Sequence, residues 1–131
     1  MTDGDTITVL YRKQKIPIRL ADIDCPEFKQ SFGIEAMAFT QTQVLRQKVE
    51  IHVRATDRYS RIVADVMMPD GQSLNAALLK AGLAWWYRDY SNNKQLEAIE
   101  KDAREAKRGL WSQAHPLPPW VYRRNRRVHE H

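Results

Sequence analysis

The sequence predicts an α+β fold that is mainly β: a five-stranded Greek-key barrel of the OB type, with three helices inserted between short strands. Three observations carry this prediction. Apolar residues alternate with polar ones in two arms near the start of the chain, Ile7, Val9, Tyr11 and Ile16, Ile18, Leu20, around a polar reversal at 12–15. Two further alternating runs, Val49 to Arg54 and Arg61 to Met68, are separated by the polar turn Thr56 to Ser60. Between and after them the apolar period changes to that of a helix. A barrel of this type also wants a strand leading into Asp3, so the first strand is expected to be missing or incomplete.

In chain order, Asp3-Gly4-Asp5-Thr6 is a turn, with Gly4 free to take a positive φ. The hairpin that follows brings Asp5, at the start of its first arm, beside Asp24, just past its second. Gly33 to about Gln47 reads as a helix whose Ala36, Met37, Phe39, Val44 and Leu45 bury one broad face. The next strand points Val49, Ile51 and Val53 inward. Asp70-Gly71 is a turn, Ser73 caps a short helix through Lys80, and Gly82 follows as its C′ residue. Leu83 to Tyr87 is a last strand. Asn93 caps a long helix with Leu96, Ile99, Ala103, Ala106 and Leu110 on one stripe, closed by Gly109. Residues 1–112 form the domain. Residues 113–131 are a Pro-rich, then Arg-rich extension without periodicity, which packs through Trp120 and Tyr122 or frays.

The chain has 131 residues, enough for one domain with its own core, and an ordinary 43% of hydrophobic residues. There is no apolar run of membrane-spanning length and no signal peptide in it. Net charge is +5 and the pI about 9.5. That balance suits either a solvated basic surface or a polyanion partner. Arg123, Arg124, Arg126 and Arg127 hold much of the excess at the tail, where solvation is the expectation. One cysteine, Cys25, excludes an internal disulfide and a Cys-rich zinc site. The histidines His52, His115, His129 and His131 show no metal spacing.

The stretch Arg19-Leu20-Ala21-Asp22-Ile23-Asp24-Cys25-Pro26-Glu27 stands out chemically. A strand ends in a stiff turn carrying several carboxylates, whose repulsion needs a metal or a basic partner to offset it. Each residue also has a plainer reading. Asp3 and Asp5 can be turn formers, Arg19 an edge-protecting charge, and Glu27 a helix-start carboxylate. Arg61 can pair with Asp57, and Trp85 and Trp86 can be core and rim.

Taken together, Asp3-Gly4-Asp5-Thr6, Ile18-Arg19-Leu20, Ile23-Asp24-Cys25-Pro26-Glu27 and Asp57-Arg58-Tyr59-Ser60-Arg61 resemble the staphylococcal nuclease family in residue and in order. Leu74-Asn75, Gly82-Leu83-Ala84 and Gly109-Leu110-Trp111 extend the likeness to most of the chain. The resemblance implies an OB-fold barrel and a calcium-dependent phosphodiesterase acting on DNA and RNA. It implies that Asp5 and Asp24 are the calcium carboxylates and that Cys25 lends its backbone carbonyl. Glu27 corresponds to the general base, and Arg19 and Arg61 to the pair that grips the scissile phosphate. Arg58, Tyr59 and Tyr87 fall at substrate-contacting positions. Ser60 stands where the family usually has glycine. By the same resemblance the chain is expected to be secreted or periplasmic and monomeric, or a dimer if a second molecule supplies the leading strand. The alternative is an OB-fold domain that binds nucleic acid without cleaving it.

Overall fold

The computed structural model describes residues 3–129. The elements in order are β1 (Thr6–Tyr11), β2 (Gln14–Leu20), β3 (Ile23–Asp24), α1 (Gly33–Val44), β4 (Glu50–Thr56), β5 (Ile62–Met67), α2 (Leu74–Lys80), β6 (Trp85–Trp86), α3 (Lys94–Glu105), a 3₁₀ turn (Gly109–Ser112) and α4 (Pro119–His129). This is the α+β class the sequence predicts.

The alternating arms form the β1–β2 hairpin, in register from Thr6 opposite Arg19 to Tyr11 opposite Gln14. Arg12 and Lys13 turn it, both left-handed, with φ of 50° and 66°. That conformation matches the twist of a two-residue hairpin, although neither residue is glycine. β5 then pairs in parallel with β2 (Ile18 with Ile62, Arg19 with Val63) and antiparallel with β4. The sheet runs β1-β2-β5-β4, and β3 pairs separately with β6. The expected leading strand concerns residues ahead of those described.

Ile18, Leu20, Ala64, Val66, Leu74, Leu78 and Leu79 form the centre of the core. Asn75 sits buried among them. Its amide accepts from the Val66 N–H at 3.1 Å and donates to the carbonyls of Ala21 (2.9 Å) and Ala64 (3.2 Å). Those bonds fix α2 to β5 and to the turn after β2, the turn that carries the acidic residues.

Several details differ from the sequence reading. α1 ends at Val44 rather than near Gln47, and Leu45, expected on its buried face, is the C-cap residue and 63% exposed. Val53 is 62% exposed, because β4 is an edge strand and its register shifts between Val53 and Ala55. Such a bulge flips the alternation. Gly4 does not take a positive φ; a Cβ there would lie 2.9 Å from the backbone of Ala36, so close approach of α1 is what requires glycine. α3 ends at Glu105, and Gly109, at φ 51°, opens the 3₁₀ turn rather than closing the helix. The tail is helical from Pro119, which makes α4 a fourth helix.

Candidate functional site

Two strand ends and one loop assemble the acidic cluster. The hairpin register places Asp5, just ahead of β1, beside Leu20, whose N–H donates to the Asp5 carbonyl at 2.8 Å. The Asp5 carboxylate accepts from the Cys25 N–H at 2.7 Å. Arg19 points to the same place. Its guanidinium lies 3.4 Å from Asp5 Oδ2 and 3.4 Å from Asp24 Oδ1, and it donates to the Leu20 carbonyl at 2.8 Å. Burial opposes the charge on Arg19, but Asp5 and Asp24 outweigh it and the pKa is raised. Burial likewise raises Asp24 to about 6, against the lowering effect of Arg123.

Glu27 reaches this cluster from the loop between β3 and α1. Gln30 clamps that loop, accepting from the Glu27 N–H at 3.1 Å and donating its own N–H to the Glu27 carbonyl at 2.8 Å. Gly33 follows, where any Cβ would collide with the Glu27 carbonyl oxygen. Asp3 accepts from the Phe28 N–H at 3.1 Å and hydrogen-bonds Glu27. Burial, with Glu27 and Asp5 nearby, pushes Asp3 up to about 7. Two carboxyl groups that hydrogen-bond one another need a proton between them.

A residue from the far end of the chain completes the cluster. Arg123 of α4 donates to both oxygens of Asp24, at 2.8 and 3.2 Å, and lies 3.8 Å from Glu27 Oε2 and 3.3 Å from the Tyr87 hydroxyl. Arg126 lies 3.6 Å from Glu27 Oε1. The expectation that this arginine run is simply solvated fails at Arg123, whose side chain is 27% exposed and ion-paired. Trp120 fixes the helix, stacked on Tyr87 at 5.3 Å and edge-on to Trp85 at 5.6 Å. The signal was present in the sequence. Pro119 suits the first helical position, and Trp120 and Arg123 share a face three residues apart. Asn75 and Asp3 carried no comparable signal for the site, because what they hold is set by tertiary contacts.

The 57–61 turn is built differently. Asp57 accepts from the N–H groups of Tyr59 and Arg61, both at 2.9 Å, and its Oδ2 takes Arg61 Nε at 2.8 Å. Burial works against ionisation of Asp57, but these donors prevail and its pKa is lowered. Ser60 is left-handed, with φ 63°, the conformation that favours the glycine it replaces. Tyr59 is 66% exposed, with the guanidinium groups of Arg58 and Arg61 5.1 and 5.6 Å from its ring centre. Among the described residues, no ion pair joins Arg61 to Asp5, Asp24 or Glu27. The parallel register nevertheless places Arg61, two positions before Val63, on the Arg19 face of the neighbouring strand.

The structure therefore brings together Asp5, Arg19, Asp24, Cys25, Glu27 and Tyr87. Arg58, Tyr59 and Arg61 are not drawn into those contacts; they lie on the exposed turn that leads into β5. No group of three or more His, Cys, Asp or Glu side chains among the described residues is arranged to hold a metal ion. The donors are hard oxygens all the same, and two carboxylates with a carbonyl and water suit a calcium-like cation in chemistry. The Cys25 thiol is buried and its pKa is pushed well up by that burial, so its side chain is no ligand.

Comparison with known proteins gives a consistent result. The family model described as "Staphylococcal nuclease homologue" matches residues 17–113. An "uncharacterized endonuclease" of Escherichia coli is 40% identical over 121 residues, covering 92% of this chain and 79% of its own. The "micrococcal nuclease" of Shigella flexneri is 40% identical over 132 residues, 93% of this chain and 76% of its own. An endonuclease of Haemophilus influenzae is 33% identical over 129 residues, 98% of this chain and 72% of its own.

Proposed function

The chain belongs to the staphylococcal nuclease family, and from that premise we propose that it is a calcium-dependent endonuclease hydrolysing DNA and RNA with little sequence preference. The observation that carries the reading is the convergence of Asp5, Arg19 and Asp24 within ion-pair distance, with Glu27 tied to Asp24 through a shared guanidinium.

Phosphodiester cleavage builds negative charge on the non-bridging oxygens. Arg19 at the end of β2 and Arg61 just ahead of β5 would meet that charge from two sides with planar, permanently charged forks. Arg19 is pre-set for this by Asp5 and Asp24, so little reorganisation is needed when the charge develops. Glu27 would accept the proton of the attacking water, its position fixed by Gln30 and Gly33. Tyr59, Arg58 and Tyr87 would contact the flanking nucleotides. Such contacts reach phosphate and sugar, which carry no sequence information. Calcium, held by Asp5, Asp24 and the Cys25 carbonyl, would supply positive charge beside the scissile group.

Digestion of plasmid DNA and of RNA, first with calcium and then with a chelator, tests the reading. Cleavage of both only with calcium is expected. Equal cleavage in both conditions would remove the calcium dependence. No cleavage in either, with salt-dependent binding retained, would favour the binding-only barrel.

A further inference from the structure

We propose that Arg123 is a functional part of this site: a tethered counter-ion on Asp24, one of the carboxylates assigned to the divalent cation, that must be exchanged for it. The inference rests on the reading of Asp24 and Glu27 as site carboxylates and extends it to the carboxy-terminal helix.

Three features set this contact apart from a surface ion pair. It is bidentate, with Nη2 and Nη1 at 2.8 and 3.2 Å from the two oxygens of Asp24. It reaches a second acid, Glu27, at 3.8 Å. Its acceptor is buried, the Asp24 side chain being 1% exposed. A fork–fork pair uses the in-plane lone pairs of both carboxylate oxygens. A cation that takes both oxygens from that side needs the same lone pairs and meets the positive charge of the guanidinium, so the two compete for Asp24.

The helix is placed to serve as a latch. Trp120, one turn before Arg123, is stacked on Tyr87 and set edge-on against Trp85, and Arg88 lies 5.5 Å from the Trp120 ring centre. Gln30, which positions Glu27, also donates to the Leu117 carbonyl at 2.5 Å just before the helix. The loop that carries the base and the segment that carries the latch are thus joined. Residues 113–118, between the 3₁₀ turn and α4, lack regular structure. That lets α4 shift without breaking either sheet. With Arg123 engaged, the acids are neutralised and the fold is spared their repulsion. Cation binding then bears the cost of opening the latch, and its apparent affinity falls by the fraction of molecules in which the latch is closed.

Calcium binding to the full chain, without nucleic acid, reads this directly by titration calorimetry and by tryptophan fluorescence. Arg123→Gln should bind calcium about tenfold or more tightly than the wild type, with Arg123→Lys between them. Calcium should change the fluorescence of the wild type through Trp120, and much less that of Arg123→Gln. Trp120→Ala, which keeps the arginine but loosens the helix, should also tighten binding, and it decides the matter if Arg123→Gln does not fold. Unchanged or weaker calcium binding in the variants would overturn the latch and leave the site reading standing. Absence of calcium binding in all of them would overturn both.

Discussion

The acidic pocket and the 57–61 turn sit on neighbouring strands, yet they are stabilised in opposite ways. In the pocket, Arg19 is 14% exposed and held by two carboxylates that are themselves buried. In the turn, Arg61 is 33% exposed and held by one, Asp57. A charge buried with its partners cannot be removed without stranding them, whereas an exposed pair gives way to water. The proposed chemistry asks both arginines to grip one phosphate. One of them is therefore part of the fold, and the other is tied only to Asp57 in a half-exposed turn.

The widest separation between the regions is expected from Arg19→Ala. It removes the ion-pair partner of Asp5 and leaves Asp24 to Arg123 alone, and should cost about 3–5 kcal/mol of stability, measured by denaturant unfolding, along with cleavage. Gly33→Ala comes next, because its Cβ must displace the Glu27 carbonyl. A loss of about 2–4 kcal/mol is expected, with slower cleavage by whatever remains folded.

A third test uses pH, with chelator present. Asp3 is raised to about 7 and Asp24 to about 6, both above the ordinary 3.8, so each favours the folded state in its protonated form. Their contribution is complete below about pH 4 and is lost as pH rises through 6 and 7. Melting temperature should therefore fall between pH 5 and pH 8, and Asp3→Asn should flatten that fall. A melting temperature that rises over the interval in the wild type would contradict the placement of these acids. The smallest effect belongs to the turn: Ser60→Gly relieves a left-handed φ and should change stability by less than about 1 kcal/mol.

The same contrast explains what could be read from the residues alone. The hairpin, both polar caps and the acidic stretch were legible because their signals are local: alternation, Ser73 and Asn93, and a run of charges. The Arg61–Asp57 pair was legible as the plainer alternative, since four positions separate the two in one turn. Val53 was misread because a bulge leaves no mark in the alternation. Arg123 was missed because its partner, Asp24, lies 99 positions away. Composition suggested only a solvated arginine run, and the Pro119 start and the Trp120–Arg123 spacing were not read as a helix.

Whether the exposed turn serves the chemistry of the pocket is tested most directly by Arg61→Ala, assayed for single-turnover plasmid cleavage at saturating calcium beside its thermal melt. A rate about 10²–10³-fold lower at nearly unchanged melting temperature is expected. A variant that cleaves at the full rate would show that Arg19 and Arg61 do not meet on one phosphate.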